Sequence, residues 1–315
     1  MKQRALITGI AGFVGLHLAE HLLTSGDVVC GFDLSDQWPD HAPSIVREDA
    51  AIFPWKLGSE DRPSSESLRQ LEAFAPTIVY HLAAVSVPNI CQSDPETAER
   101  VNVEGTRAVL RFAEKASSHP RVLFVSTSHV YKRPPNSSLD DRESRLDEAS
   151  TLAPANIYGR TKRAAEQVVL ASPLQTIVVR AFQHGGPRQA GPLMLPDWLR
   201  QLADPKVDPI TIHTSDAWID FTDVRDVVRA YRILSEPDVA PGVYNVGSGV
   251  AQRTGDLLDR LKEIAGRTPS ITQSRPGRKV GPVADIERLV RETGWRPEIP
   301  IDQTLQDAWD VFPRP

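Results

Sequence analysis

Cysteine is nearly absent from this chain: Cys30 and Cys91 are the only two in 315 residues. They cannot build a disulfide framework or a four-cysteine zinc site, and they point to a reducing compartment. A basic excess is missing too. The 36 Lys and Arg stand against 41 Asp and Glu, a formal net charge of −5, which disfavours a protein that tracks nucleic-acid phosphates. No stretch approaches the ~18 apolar residues of a membrane span. The start Met1-Lys2-Gln3-Arg4, followed by apolar residues from Ala5, has the look of a secretory leader. However, Gly9, Gly12 and Gly15 interrupt it, and His17 and Glu20 follow. The chain therefore reads as soluble and cytoplasmic, with neither nucleic acid nor membrane as partner. Internal repeats are also lacking.

What is present is alternation. Ala5–Thr8 reads as a buried strand and Phe13–Leu23 as a helix with Val14, Leu18 and Leu22 on one face. Val28–Phe32 follows as strand two and Ser44–Arg47 as a short strand three. Ser64 or Ser65 caps a helix through Leu68, Leu71 and Phe74. Thr77–Leu82 is strand four, and Asp94-Pro95 opens a long helix to about Ser117, with proline at the tolerated first position. Arg121–Ser126, a helix over Asn156–Ala171 and a strand over Thr176–Arg180 complete the first part. Such alternation implies an α/β fold, a doubly wound parallel sheet with helices on both faces and chemistry at the carboxyl ends of the strands. From about residue 182 the chain is less regular. Loops at Gly185-Gly186-Pro187 and Asp204-Pro205 and helices over Asp223–Leu234 and Thr254–Ile264 suggest a smaller, loop-rich second domain. The mixed charges of Asp140–Glu148 read as a solvated loop.

Two constellations carry chemistry. Gly9-x-x-Gly12-x-x-Gly15 lies between strand one and helix one, where glycine permits a tight turn, backbone approach to a diphosphate and close strand–helix packing. The helix amides and dipole then receive the anion. Asp33, at the end of strand two, is placed to accept hydrogen bonds from an adenosine ribose and to repel a 2′-phosphate. No Lys or Arg lies between it and Asp40, so NAD(H) is expected over NADP(H). The second constellation is Tyr158-x-x-x-Lys162. Residues i and i+4 share a helix face, and Ser126-Thr127-Ser128 brings a hydroxyl to the same sheet edge. Hydride transfer at an alcohol or ketone carbon must be matched by proton transfer at its oxygen. A nearby ammonium is expected to lower the phenol of Tyr158 from its usual ~10. His17 and His21 share a helical face but have no third ligand, so no metal is expected. His81 reads as packing and His129 as a bystander.

Read in order, the motifs resemble the extended short-chain dehydrogenase/reductases, the NAD-dependent epimerase/dehydratases of nucleotide sugars. They are Thr8-Gly9-x-x-Gly12-x-x-Gly15, His81-Leu82-Ala83-Ala84, Asn102-Val103-Glu104-Gly105-Thr106, Ser126-Thr127-x-x-Val130-Tyr131, Asp147-Glu148 with Pro154, and Tyr158-Gly159-x-x-Lys162. Asp220-Phe221-x-x-Val224-x-Asp226, Val243–Gly249 and Gly294-Trp295-x-Pro297 follow. The resemblance implies a Rossmann NAD-binding domain over 1–181, with about 221–246 returning to it, and a nucleotide-sugar substrate domain over 182–315. It implies Tyr158 as acid/base, Lys162 as its partner and ribose ligand, and Thr127 as the assisting hydroxyl. NAD would be held by Gly9, Gly12, Phe13, Val14, Gly15, Asp33, Asp49, Ala50, Leu82, Ala83 and Ala84 together with Tyr158 and Lys162. The substrate would meet Ser86, Thr127, Gln183, Arg188, Arg275 and Arg278. A homodimer through the helices around 95–117 and 156–171 is implied as well.

The stretches Arg180–Gln189 and Asp220–Val227 look most like reductases of GDP-4-keto-6-deoxymannose. Dehydratases of the family usually follow the active-site Thr with an acid, where this chain has Ser128-His129. Gln183 stands for a usual Asn, Ile219 for a usual Arg near the diphosphate, Lys132 for Gly and Thr161 for Ser. The expected activity is an NAD-dependent oxidoreductase acting at hexose C4. A 4-epimerase is the near alternative, and a non-catalytic NAD-binding regulator the alternative of another class.

Overall fold

The computed structural model describes residues 2–59, 63–133 and 145–314. Seven strands form one parallel sheet: β1 Arg4–Thr8, β2 Val28–Asp33, β3 Ala50–Pro54, β4 Ile78–His81, β5 Arg121–Thr127, β6 Thr176–Ala181 and β7 Gly242–Val246. Their spatial order is β7-β6-β5-β4-β1-β2-β3, so the winding reverses between β1 and β4. Ligand crevices of open α/β sheets form at such a reversal.

Both faces of the sheet are covered, and for that reason the strands read as continuous apolar runs. Along β1, Ala5 and Ile7 point into a core with Leu16, Leu18 and Leu22 of helix α1 (Phe13–Thr24). Leu6 points the other way, toward Val109 and Leu110 of α2 (Gly105–Lys115) and Ala165 and Val169 of α3 (Ile157–Leu170). Helix α4 (Val224–Leu234) packs beside α1 through Val227, Val228 and Tyr231. The second half has its own buried cluster, with Trp198, Phe221, Leu258 and Leu305 at its centre. It is organised around the strand Ala217–Asp223, which pairs with Gln183–Gly185, Ala251–Arg253 and Lys279–Val280. Among the described residues no helix is long and apolar enough to cross a membrane.

Three expectations are corrected. Ser44–Arg47 is not a strand: Ser44–Asp49 is a helix opened by Pro43, and β3 follows at Ala50–Pro54. The long helix from Pro95 is broken into Pro95–Glu99, a π-helical turn over Arg100–Glu104, and α2. Of the expected Asp140–Glu148 loop, residues 140–144 lie outside the described residues. The remainder is not simply solvated, because Arg145–Leu146 pairs with Val283–Ala284 and Glu148 Oε1 accepts the Asn245 amide at 2.8 Å. The choice between Ser64 and Ser65 resolves to Ser64, whose Oγ accepts the Ser67 amide at 3.0 Å. Ser64→Ala is expected to cost about 1 kcal/mol in urea unfolding and Ser65→Ala almost nothing. Equal effects would contradict that cap.

Candidate active site

At the carboxyl end of β1 the chain turns at Gly9, whose φ is +75°, and enters α1. A Cβ on Gly15 would stand 2.1 Å from the Gly9 carbonyl oxygen, so only glycine lets the helix start this close to the strand. Helix α1 begins with no side-chain cap and no acid in its first turn. The amides of Phe13, Val14 and Gly15 therefore have no intrahelical acceptor and offer an anion seat. Asp33 holds the turn from the side: its Oδ2 accepts from Ala11 N at 2.9 Å and its Oδ1 from Leu34 N at 2.8 Å. These residues fit a dinucleotide diphosphate with its ribose beside Asp33.

The loop after β4 is fixed by a buried relay. Thr106 donates its hydroxyl to the Asn102 carbonyl at 2.6 Å, so it accepts from His81 Nε2, and His81 Nδ1 accepts from Thr8 at 2.7 Å. Thr8 in turn accepts the Ala83 amide. Burial pushes His81 down to about 3, keeping it neutral. Asn102, on the π-helical turn, accepts from Val85 N with its Oδ1 and donates to the Val85 carbonyl and the Thr161 hydroxyl with its Nδ2. One amide thus ties the loop to the helix that carries Tyr158 and Lys162, and Thr161 serves where serine is usual.

Asn156 caps α3, and a Cβ on Gly159 would lie 2.3 Å from the His129 carbonyl oxygen. The helix start is therefore seated directly against the residues that follow Thr127. Burial pushes Tyr158 up to about 12, with the Thr127 hydroxyl pulling the other way. Burial also pushes Lys162 down to about 7, opposed by Glu166. Lys162 is 2% exposed and its Nζ lies 4.1 Å over the Phe124 ring. The expectation that the ammonium lowers the phenol is corrected: withdrawal from water disfavours the charged form of each, and that effect dominates both. Glu166 accepts from Ser126 and from Arg180 through both oxygens, at 2.6 and 3.1 Å. Arg180 also donates to Tyr131, which donates to Asn245. This buried network under the site was missed, although Glu166 continues the i, i+4 face of Tyr158 and Lys162. His129 Nδ1 is occupied by the Asn156 amide at 3.0 Å, and burial pushes the ring down to about 4.

A cleft of about 1640 Å³ runs from the glycine turn across Tyr158 to the second half. Gly9, Gly12, Phe13, Val14, Gly15, Asp33, Leu82, Ala83, Ala84, Ser86, Thr127, Tyr158, Lys162 and Gln183 line it. Asp49, Ala50, Arg188, Arg275 and Arg278 do not. The β3 side of the cleft is instead lined by Trp55–Ser59, because β3 ends later than the sequence implied. Arg188 is turned toward α1, where it pairs with Glu20 at 2.5 Å and His17 Nδ1 at 2.9 Å, while His17 Nε2 meets the Pro187 carbonyl. Arg278 lies over the outer Trp218 ring at 5.8 Å. Cations that do line the cleft are Lys56, Arg100, Lys132, Arg133, Lys162 and Lys279. Among the described residues its only carboxylates are Asp33 and Asp220. Asp220 is saturated by Ser248, Gly249 and Ala284 donors. In an acidic chain this is a cleft built for anions.

Comparison with known proteins agrees with this geometry. Over 97% of its length the chain is 29% identical to a GDP-6-deoxy-D-mannose reductase of Pseudomonas aeruginosa, covering 96% of that protein. Over 98% of its length it is 26% identical to a UDP-glucose 4-epimerase of Cyamopsis tetragonoloba, covering 95% of it. The solved structure of RMD from Pseudomonas aeruginosa complexed with NADPH superposes with a TM-score of 0.77 at 28% identity, over 98% of both chains. The family model for NAD dependent epimerase/dehydratases matches residues 5–247, and the chain belongs to that family.

Proposed function

We propose that the protein is an NAD(H)-dependent reductase of a nucleoside-diphosphate-linked 4-keto-6-deoxyhexose, with GDP as the nucleotide. The observation that carries this reading is the cleft itself. It is larger than the ~300–1,000 Å³ that one small ligand occupies, it is lined by cations at both ends, and Thr127, Tyr158 and Lys162 stand at its middle. A bound nicotinamide supplies the hydride. Thr127 orients the ketone oxygen, and Tyr158, which holds its proton throughout the neutral range, protonates the alkoxide. Lys162 compensates the phenolate left behind. No carboxylate lines the cleft beside Thr127, and His129 is neutral and already bonded. The base that water elimination needs is therefore absent among the described residues. Asp33 supports NADH over NADPH, since a 2′-phosphate would meet its carboxylate. Pairing of two copies through the helices around 95–117 and 156–171 belongs to the same reading, with Leu170 exposed there.

The test is the cofactor that the purified protein releases on denaturation, followed by turnover. The expected result is no stoichiometric NAD⁺, and oxidation of added NADH, faster than of NADPH, in the presence of a GDP-4-keto-6-deoxyhexose. Stoichiometric retained NAD⁺ with interconversion of UDP-glucose and UDP-galactose would establish the 4-epimerase instead, the reading favoured by the second relative. NADH binding without turnover of either sugar would leave a regulator.

A further inference from the structure

We propose that Lys279 holds the diphosphate of the nucleotide-sugar substrate, in the place left by the arginine that Ile219 replaces. The inference rests on the functional reading above and names the residue that does this work. Among the described residues, the part of the cleft lining that comes from 181–195, 217–221 and 279–282 contains one cation, Lys279. The one histidine in that stretch, His184, is pushed down by burial and its Nδ1 faces the Phe182 carbonyl at 2.8 Å, so it stays neutral. The arginines that the sequence offered are placed elsewhere: Arg188 is committed to Glu20 and His17, and Arg275 and Arg278 do not line the cleft.

Strand pairing explains how a lysine remote in sequence can replace an arginine at 219. Lys279–Val280 pairs in parallel with Ala217–Trp218, with Lys279 opposite Ala217. Its frame is fixed by Lys279 N to the Asp216 carbonyl at 2.9 Å and Gly281 N to the Trp218 carbonyl at 2.8 Å. Side chains alternate along a strand, so Ala217 and Ile219 point to one face and Lys279 joins that face one strand over, about 5 Å away. A lysine is long enough to place its ammonium over Ile219, where the arginine head would be. Lys279 is exposed and has no ion-pair partner among the described residues, which suits a group that waits for an anion. The floor beneath it is apolar, formed by Ala217 and Ile219, so a phosphate there gains from a single point charge rather than from a bidentate fork.

The experiment is calorimetric titration of GDP, UDP and NADH into the wild type, Lys279→Gln, and Lys279→Gln combined with Ile219→Arg. Lys279→Gln is expected to weaken the preferred nucleoside diphosphate about tenfold and to leave NADH within about twofold. It should also flatten the salt dependence of nucleotide binding. Adding Ile219→Arg should restore most of the loss. Unchanged nucleotide binding in Lys279→Gln overturns the assignment while leaving the functional reading intact, and so does an equal loss for NADH. Failure of Ile219→Arg to restore binding overturns the shared seat. A wild type that binds neither GDP nor UDP at millimolar concentration overturns the functional reading itself.

Discussion

Replacing Tyr158 by phenylalanine is expected to lower turnover by a factor of about 10²–10⁴, while NADH affinity stays within about twofold. The phenol lines the cleft together with Thr127 and holds its proton throughout the neutral range. Removing its oxygen leaves the ring in place against the His129 ring, whose centroid is 5.5 Å away, so the helix and the cofactor seat keep their shape. The loss should therefore fall on kcat rather than on KM for the nicotinamide cofactor. Steady-state rates with a 4-keto sugar, alongside fluorescence titration with NADH, read both quantities. Turnover within threefold of wild type would remove Tyr158 from the proton transfer and return the choice to Thr127 with water.

Lowering the pH from 7.5 to 5.5 is expected to remove about 1.4 kcal/mol of stability for each of His17 and His81. Each is buried and neutral, held down to about 4 and about 3, first by loss of water and then by Arg188 and Lys162 respectively. In the unfolded chain both take up a proton as the pH falls through about 6.5; in the folded chain they remain neutral until far lower. Over that window the unfolded state binds more protons. The stabilisation is complete above pH 6.5 and is lost progressively as the pH falls toward 4. His129, also pushed down to about 4, and His21 and His184 act in the same sense. The raised carboxyls of Glu148 and Asp220 oppose it. Urea midpoints at the two pH values measure the sum. His17→Gln should make the difference between them smaller, because Gln cannot take up the proton. Equal midpoints for the wild type would show that these rings are not sealed from water.

How far sequence carries the structure depends on where the determining contacts lie. The sheet was legible because β1, β4, β5 and β6 are buried on both faces, which forces unbroken apolar runs such as Ile78-Val79-Tyr80. Ser44–Arg47 misled because Ile45-Val46 suits a strand, whereas Pro43 starts a helix there and the true β3 is a half-buried edge ending in Pro54. That one displacement put the expected adenine contacts at Asp49 and Ala50, whereas the cleft on that side is lined by Trp55–Ser59. The proposed catalytic trio was legible because Tyr158 and Lys162 share a local helical face. The break in the long helix was not, since it answers to Asn102 reaching Val85 and Thr161. Lys279 had no local signal at all: two residues of strand acquire meaning only through their partners at Ala217 and Trp218.

The position of β7 bears on how the chain can be made. Strand β6, Thr176–Ala181, is bonded on one side to β5 and on the other to β7, which arrives from Gly242–Val246. Its core run Ile177-Val178-Val179 is β-branched, free of proline and fully buried in the finished protein. At ~5–20 residues per second of synthesis, this edge stays open on the nascent chain for roughly 3–13 s before its cover emerges. An open apolar edge of that kind templates pairing with other chains. A fragment ending anywhere between Ala181 and Gly242 would keep it open permanently. The two halves of this molecule are therefore not separable expression units, and the second half has to be synthesised before the first can be closed.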